Sequence, residues 1–203
     1  RDLGVTTDTR LSYDSHIENI VRQAYMRIGV LFKGFVSRDI TLLRMAYITF
    51  IKPHVEYASN VWCPYELKHV RKNEKSKDIT HRIPMFRDYS YEERLARLNL
   101  ETLELRRLRF DLVLYYKMFN DLGSFDVNCY FEFPTRTRQT RSDGGKPLPK
   151  IRGKTKVLEN HFFQRRIECW NSLPEFVRSA TYVKQFKENL TKVDLDGFLV
   201  VKF

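Results

Sequence analysis

The chain has 203 residues, with 42% apolar, 30% charged and 14% aromatic side chains, which is enough for one large or two small domains and too apolar for a disordered chain. Lys and Arg number 36 against 25 Asp and Glu, and the net charge of +11 points to a polyanionic partner, either nucleic acid or an anionic membrane surface. No apolar run approaches the roughly 18 residues of a transmembrane helix, no lipid motif or basic amphipathic helix marks a membrane-surface protein, and a scarcity of glycine disfavours a turn-rich β sandwich.

The chain opens on Arg1 inside a patterned segment, without a signal-peptide pattern, and is expected to be a fragment or a processed product. Cys63, Cys129 and Cys169 lie far apart and are odd in number, which fits reduced thiols in an intracellular protein. Leu3 to Leu11 reads as a short strand and turn. Ser15 and Glu18 then have the S-x-x-E spacing of a capping box, and Ile17, Ile20, Val21, Ala24, Tyr25, Ile28 and Leu31 mark one helical face that ends near Gly34. A second helix is predicted from Ser37 or Asp39, carrying Leu42, Leu43, Ala46, Phe50 and Ile51 inward. Pro53, which has no N–H to donate, predicts a kink or break. Val55 to Tyr65 is aromatic-rich and reads as resumed helix. Glu66 to Arg82 reads as a solvated helix or a charged connector.

Ser90 and Glu93 repeat the capping-box spacing ahead of Leu95 and Leu98. Thr102 to Leu122 is the clearest helix, with Leu105, Leu108, Leu112, Tyr115, Tyr116 and Phe119 near one face. From Gly123 to Val157 the periodicity is lost, broken by Pro134, Gly144, Gly145, Pro147, Pro149 and Gly153. This segment carries Arg136, Arg138, Arg141, Lys146, Lys150, Arg152, Lys154 and Lys156, and between the first and last of them only Asp143 opposes. Two further helices are expected, from about Leu158 to Asn171 and from Tyr182 to Lys192, followed by a short strand over Gly197 to Phe203. The fold class is therefore mainly α, with a long basic loop and minor short strands.

The basic loop is the leading candidate for binding, because flexible cations track a phosphate backbone and release its counterions. An ordinary solvated loop is the alternative. Arg106 and Arg109, three residues apart, are a second candidate that presents guanidinium forks to phosphates. They belong to a cluster with Arg94, Arg97 and Arg107, for which ion pairs with Glu92, Glu93, Glu101 and Glu104 are the competing use. Trp62, Tyr57 and Tyr65 beside two prolines, and Trp170 in W-N-S-L-P, are assigned to the core rather than to base stacking. Cys63 with His69, and His161 with Cys169, lack a zinc-ligand spacing, and no C-x-x-C occurs. No activated cysteine, paired acid and base or phosphate-cradling glycine loop is found, so no catalytic and no metal residues are assigned.

Several blocks occur in a specific order. They are Leu3-Gly4-Val5 with Asp8, Leu11, His16 and Ile17; Pro53, Glu56, Tyr57, Trp62, Pro64 and Tyr65; Ser90-Tyr91-Glu92-Glu93-Arg94-Leu95; Leu103-Glu104, Arg106-Arg107, Asp111 and Tyr116-Lys117; and Phe162-Phe163, Arg165, Trp170-Asn171-Ser172-Leu173-Pro174 and Phe186-Lys187. This ordered set resembles the C-terminal part of reverse transcriptases of the jockey and CR1 type, from retrotransposons without long terminal repeats. The resemblance implies the end of a palm over residues 1–15, a helical, bundle-like thumb over 16–77, and a C-terminal helical domain over 78–203 containing the basic loop at 123–157.

In such a family the parent is an RNA-directed DNA polymerase that uses Mg²⁺. Nothing here resembles the family's Y/F-A-D-D motif, so the fragment is expected to be inactive alone and to hold no cofactor. The implied partners are RNA, RNA–DNA hybrid and the upstream palm and fingers of the same polyprotein, in the cytoplasm and nucleus, with no membrane partner. The alternative is a non-catalytic helical interaction remnant of a degenerate mobile element. A peripheral membrane protein is the third reading.

Overall fold

Apolar side chains spaced by three and four residues bury best on helices, and the fold in this computed structural model is mainly α-helical. The structure describes residues 2–35, 37, 39–77, 86, 88–123, 148–149 and 155–201, without the side chains of 75–77 and 156. Two compact units divide the chain: Arg1–Arg107 with Leu199–Phe203, and Leu108–Phe198.

In the first unit, α1 (Asp14–Gly34) buries Ile17, Ile20, Val21, Ala24, Ile28 and Leu31, the face that its spacing predicts. Tyr25 is exposed instead, because it follows fully buried Ala24 and each residue turns the helix by about 100°. The capping box expected at Ser15 and Glu18 does not form. The helix starts two residues earlier, with Tyr13 at the N-cap, the Ile17 N–H bonded to Tyr13 O at 2.9 Å and the Asp14 N–H to Ser12 Oγ at 3.2 Å. Ser15 therefore falls inside the first turn.

Asp39 does start the next helix, α2 (Ile40–Ala46): its carboxylate accepts the Leu42 N–H at 2.8 Å. The helix then continues through a π-helical turn (Tyr47–Ile51) into α3 (Lys52–Glu56). The break expected at Pro53 is thus a change of winding. The Lys52 N–H reaches back five residues to the Tyr47 carbonyl, and the wider turn absorbs the donor that proline lacks. It also moves the inward positions. Tyr47 and Ile51 are buried, whereas Phe50, expected inside, is 51% exposed.

A left-handed Ala58 (φ 50°) turns the chain into α4 (Ser59–Trp62). Beyond it α5 (Leu67–Lys77) packs along α1, with Lys72 Nζ 3.2 Å from Glu18 Oε1. The core of this unit gathers Ile17, Ile20, Ala24, Tyr47, Ile51, Val55, Trp62 and Leu103. Ahead of α6 (Tyr91–Arg97) the second capping box is complete: Ser90 Oγ accepts the Glu93 N–H at 3.2 Å, and Glu93 Oε2 accepts the Ser90 N–H at 2.7 Å. These hydrogen bonds hold the Glu93 carboxyl below the usual carboxylate range.

The two expected terminal strands are absent among the described residues. Leu3, Gly4 and Leu11 take positive φ (44°, 88° and 58°), which curls the chain into turns and leaves only an isolated antiparallel bridge between Asp2 and Val5. Near the other end, Asp196–Phe198 is a 3₁₀ turn. The N–H groups of Val200 and Val201 go to the buried Glu104 carboxylate, at 2.5 and 3.1 Å, rather than to a sheet partner.

The clearest helix of the sequence is α7 (Leu103–Phe119). In the second unit its Leu108, Leu112, Tyr115, Tyr116 and Met118 are buried. Around them lie α8 (Lys156–Glu159), α9 (Phe162–Arg165), α10 (Ile167–Ser172), α11 (Glu175–Arg178) and α12 (Val183–Leu190). Tyr116 stacks on Phe186 with ring centroids 4.4 Å apart, and Tyr115 meets Phe162 edge-on at 5.2 Å. The single helix expected over 158–171 comes as three short pieces. Among the described residues no helix is long and apolar enough to cross a membrane.

Candidate functional site

Cations that serve a ligand must first be separated from cations that hold the fold. Of the loop candidates, Arg136, Arg138, Arg141, Lys146, Lys150, Arg152 and Lys154 lie outside the described residues, and Lys156 is described only as the backbone start of α8. Arg106 and Arg109 sit three residues apart on α7, both half-buried. Arg106 grips Glu56, its Nε on one carboxylate oxygen and its Nη2 3.2 Å from the other, while its Nη1 lies 3.7 Å from Glu101 Oε2. A bidentate pair of this kind fixes the guanidinium plane.

One residue further, Arg107 is only 2% exposed. It donates to the Val55 carbonyl at 3.1 Å and to Asn73 Oδ1 at 3.4 Å, and its guanidinium lies 4.7 Å from the Trp62 ring centroid. The buried Glu74 carboxylate accepts the Tyr91 hydroxyl at 2.7 Å and the Glu104 N–H at 2.8 Å. These contacts show why buried charge survives here: each ionised group has several hydrogen-bond partners.

The second unit has its own buried ion cluster. Arg165 donates Nε and Nη2 to the two oxygens of Asp111, both at 2.9 Å, and Arg166 Nε donates to Asp111 Oδ2 at 3.1 Å. Consecutive residues of a straight helix point about 100° apart. At the interruption between α9 and α10, Arg166 (φ −117°, ψ 5°), both side chains reach one carboxylate. Beside it, burial and then the Asp111 charge raise the Tyr115 hydroxyl above its ordinary pKa, and burial pushes the Cys169 thiol up to about 12.

Of the aromatic residues assigned to the core, Trp62 and Trp170 are buried. Tyr57 and Tyr65 are not, at 57% and 40% exposure. Tyr57 follows the last turn of α3 and points its hydroxyl to the Leu3 carbonyl at 2.9 Å, so it clasps the surface.

A cavity of about 270 Å³ opens in the first unit between the α2–α3 rod and the segment after α6. Arg44, Tyr47, Lys52, Asn99, Glu101 and Arg106 supply its polar lining. Arg44 Nε donates to the Leu98 carbonyl at 2.7 Å, which anchors that guanidinium. Burial, then the charges of Glu56 and Glu74, raise the Tyr47 hydroxyl above its ordinary pKa, so it is a donor at every physiological pH. Among the described residues no group of three or more His, Cys, Asp or Glu side chains could hold a metal ion.

Arg44, Tyr47 and Lys52 are not candidates in the sequence reading. Their convergence depends on the π turn and on the chain folding back through Asn99, and no local spacing signals either. Asp111 and Arg165 are both visible in the ordered blocks, but as separate matches.

Over 122 residues the chain is 23% identical to the uncharacterized protein B0403.1 of Caenorhabditis elegans, an alignment covering 58% of this chain and 61% of that protein. The chain thus spans less than two thirds of that relative's length. No family model matches the chain, and no solved structure matches it.

Proposed function

We propose that this chain is a nucleic-acid-binding, non-catalytic part of a reverse transcriptase from a retrotransposon without long terminal repeats. The observation that carries the reading is the cationic excess. The net charge is +11, and the charged groups taken into the interior nearly balance: Glu74, Glu104 and Asp111 are buried beside Arg107 and the largely enclosed Arg165 and Arg166. The interior pairs therefore leave the cationic excess of the chain unconsumed, as a phosphate-binding surface requires.

Support also comes from how the ordered blocks pair. Glu56 of the second block binds Arg106 of the fourth, Trp62 receives Arg107, and Asp111 of the fourth receives Arg165 of the last. A set of blocks that owes its order to one fold is expected to interlock in this way. On this reading Lys and Arg supply affinity to RNA or RNA–DNA hybrid through its backbone and shape, without reading base edges.

The test is fluorescence anisotropy of a labelled RNA–DNA hybrid, beside flotation on vesicles containing phosphatidylserine. Binding to the hybrid at moderate salt supports the proposal. Binding to the vesicles alone would transfer the basic surface to a peripheral membrane role.

A further inference from the structure

We propose that the cavity lined by Arg44, Tyr47 and Lys52 is a binding site for a phosphate monoester carried on a sugar, that is, a nucleotide or a 5′-phosphorylated strand end. Three cations face this space, and Arg44 and Lys52 have no carboxylate partner among the described residues. Arg106 is balanced by Glu56, and Glu101 also lines the cavity, so the cations still outnumber the acids. The carbonyl of Leu98 holds the Arg44 guanidinium at the wall, as a preset anion site requires.

The second observation is independent of charge. Tyr47 is 1% exposed, and its hydroxyl has no hydrogen-bond partner among the described residues. Buried hydroxyls are nearly always bonded, and this one, on a residue that lines the cavity, is a donor without an acceptor. A phosphate oxygen meets that need. The volume, about 270 Å³, exceeds a phosphate group and leaves space for a sugar. Ile48 and Leu100 cover the apolar side of that space, and the Glu101 carboxylate can accept from a sugar hydroxyl.

The site lies wholly within the first unit and does not depend on the hybrid-binding proposal. Isothermal titration with AMP, inorganic phosphate, a 5′-phosphorylated hexanucleotide and its unphosphorylated twin tests it. Saturable binding of AMP identifies a free nucleotide as the source, and binding of the phosphorylated strand alone identifies a strand end. Binding of neither by the folded protein, or equal binding of the unphosphorylated strand, overturns the proposal.

Tyr47→Phe separates binding from folding. It should weaken binding about tenfold, the loss expected for one hydrogen bond to a charged acceptor. Without ligand its thermal midpoint should match or exceed that of the wild type, since an unpartnered hydroxyl contributes nothing to the fold. Lys52→Ala should also weaken binding while leaving the midpoint near the wild-type value. Unchanged affinity in both variants, or a lowered ligand-free midpoint in Tyr47→Phe, overturns the assignment.

Discussion

Arg165 closes a two-bond fork on Asp111, with Nε and Nη2 each 2.9 Å from a carboxylate oxygen, on an acid whose side chain is 1% exposed. Arg166 shares one of those oxygens at 3.1 Å. Removing the acid would strand two cations in a poorly solvated place. Asp111→Ala should cost about 3–5 kcal/mol in urea denaturation, the range for breaking a buried pair from one side. Arg166→Ala should cost less, because the Arg165 fork remains. A loss below about 1 kcal/mol for Asp111→Ala would mean that the cluster is solvated like a surface pair.

Two serines with the same S-x-x-E spacing make a matched contrast. Ser90 accepts the Glu93 N–H and Glu93 returns to the Ser90 N–H, whereas Ser15 lies inside α1 and caps nothing. Ser90→Ala should lower stability by about 1 kcal/mol, as lost N-caps do. Ser15→Ala should change it by less than about 0.5 kcal/mol in the same denaturation series. Equal effects would remove the capping box as a determinant of α6.

Two imidazoles set a pH dependence. His54 and His161 both titrate below the ordinary value of 6.5 in the fold, chiefly because burial disfavours the cation, with Arg27 and Arg165 respectively adding to it. As pH falls past 6.5 the unfolded chain takes up these protons first, so their contribution to stability is complete above that value and declines below it, until the folded sites also protonate. Urea midpoints at two pH values on either side of this window should show a smaller acid-side drop in His54→Gln/His161→Gln than in the wild type. An identical drop would place the acid sensitivity elsewhere.

Cys169 is 2% exposed and its thiol is pushed up to about 12 by burial, so thiolate is scarce near neutral pH. Cys63 is half-buried. Peptide-resolved alkylation with iodoacetamide should therefore label Cys63 well before Cys169, and urea should abolish the difference. Fast native labelling at Cys169 would contradict its place in the core.

The helices legible in the sequence are those whose signals are local. Asp39 and Ser90 act as caps because a side-chain oxygen reaches an N–H only three residues on. Spacing gives Leu108, Leu112, Tyr115 and Tyr116 of α7 as buried, whereas Leu105 and Phe119 are half-buried and the buried Glu104, Arg107 and Asp111 depend on distant partners. The rest needed distant partners. Phe50 points outward because Pro53 imposes a π turn, and a change of winding leaves no mark in the apolar period. The break between α9 and α10 falls at Arg166, where both Arg165 and Arg166 reach Asp111, more than fifty residues away. The cavity was hidden for the same reason: Arg44 and Lys52 meet Asn99 only after the chain folds back.

The basic loop is tested through its salt dependence. Changing Arg136, Arg138, Arg141 and Lys146 together to Ala should weaken nucleic-acid binding across sequences. It should also flatten the slope of log affinity against log salt by roughly 3 units, at ~0.7 per single-strand phosphate contact. An unchanged slope would remove these four side chains from the interface, whatever the rest of the chain does.

The affinity of the folded protein for a primer–template RNA–DNA hybrid, titrated across salt concentration, tests the proposed nucleic-acid binding without intermediaries. Binding should be tight at low salt and fall steeply and linearly on logarithmic axes as salt rises. No binding at low salt, by protein shown to be folded, would contradict it and leave a helical interaction scaffold as the better reading.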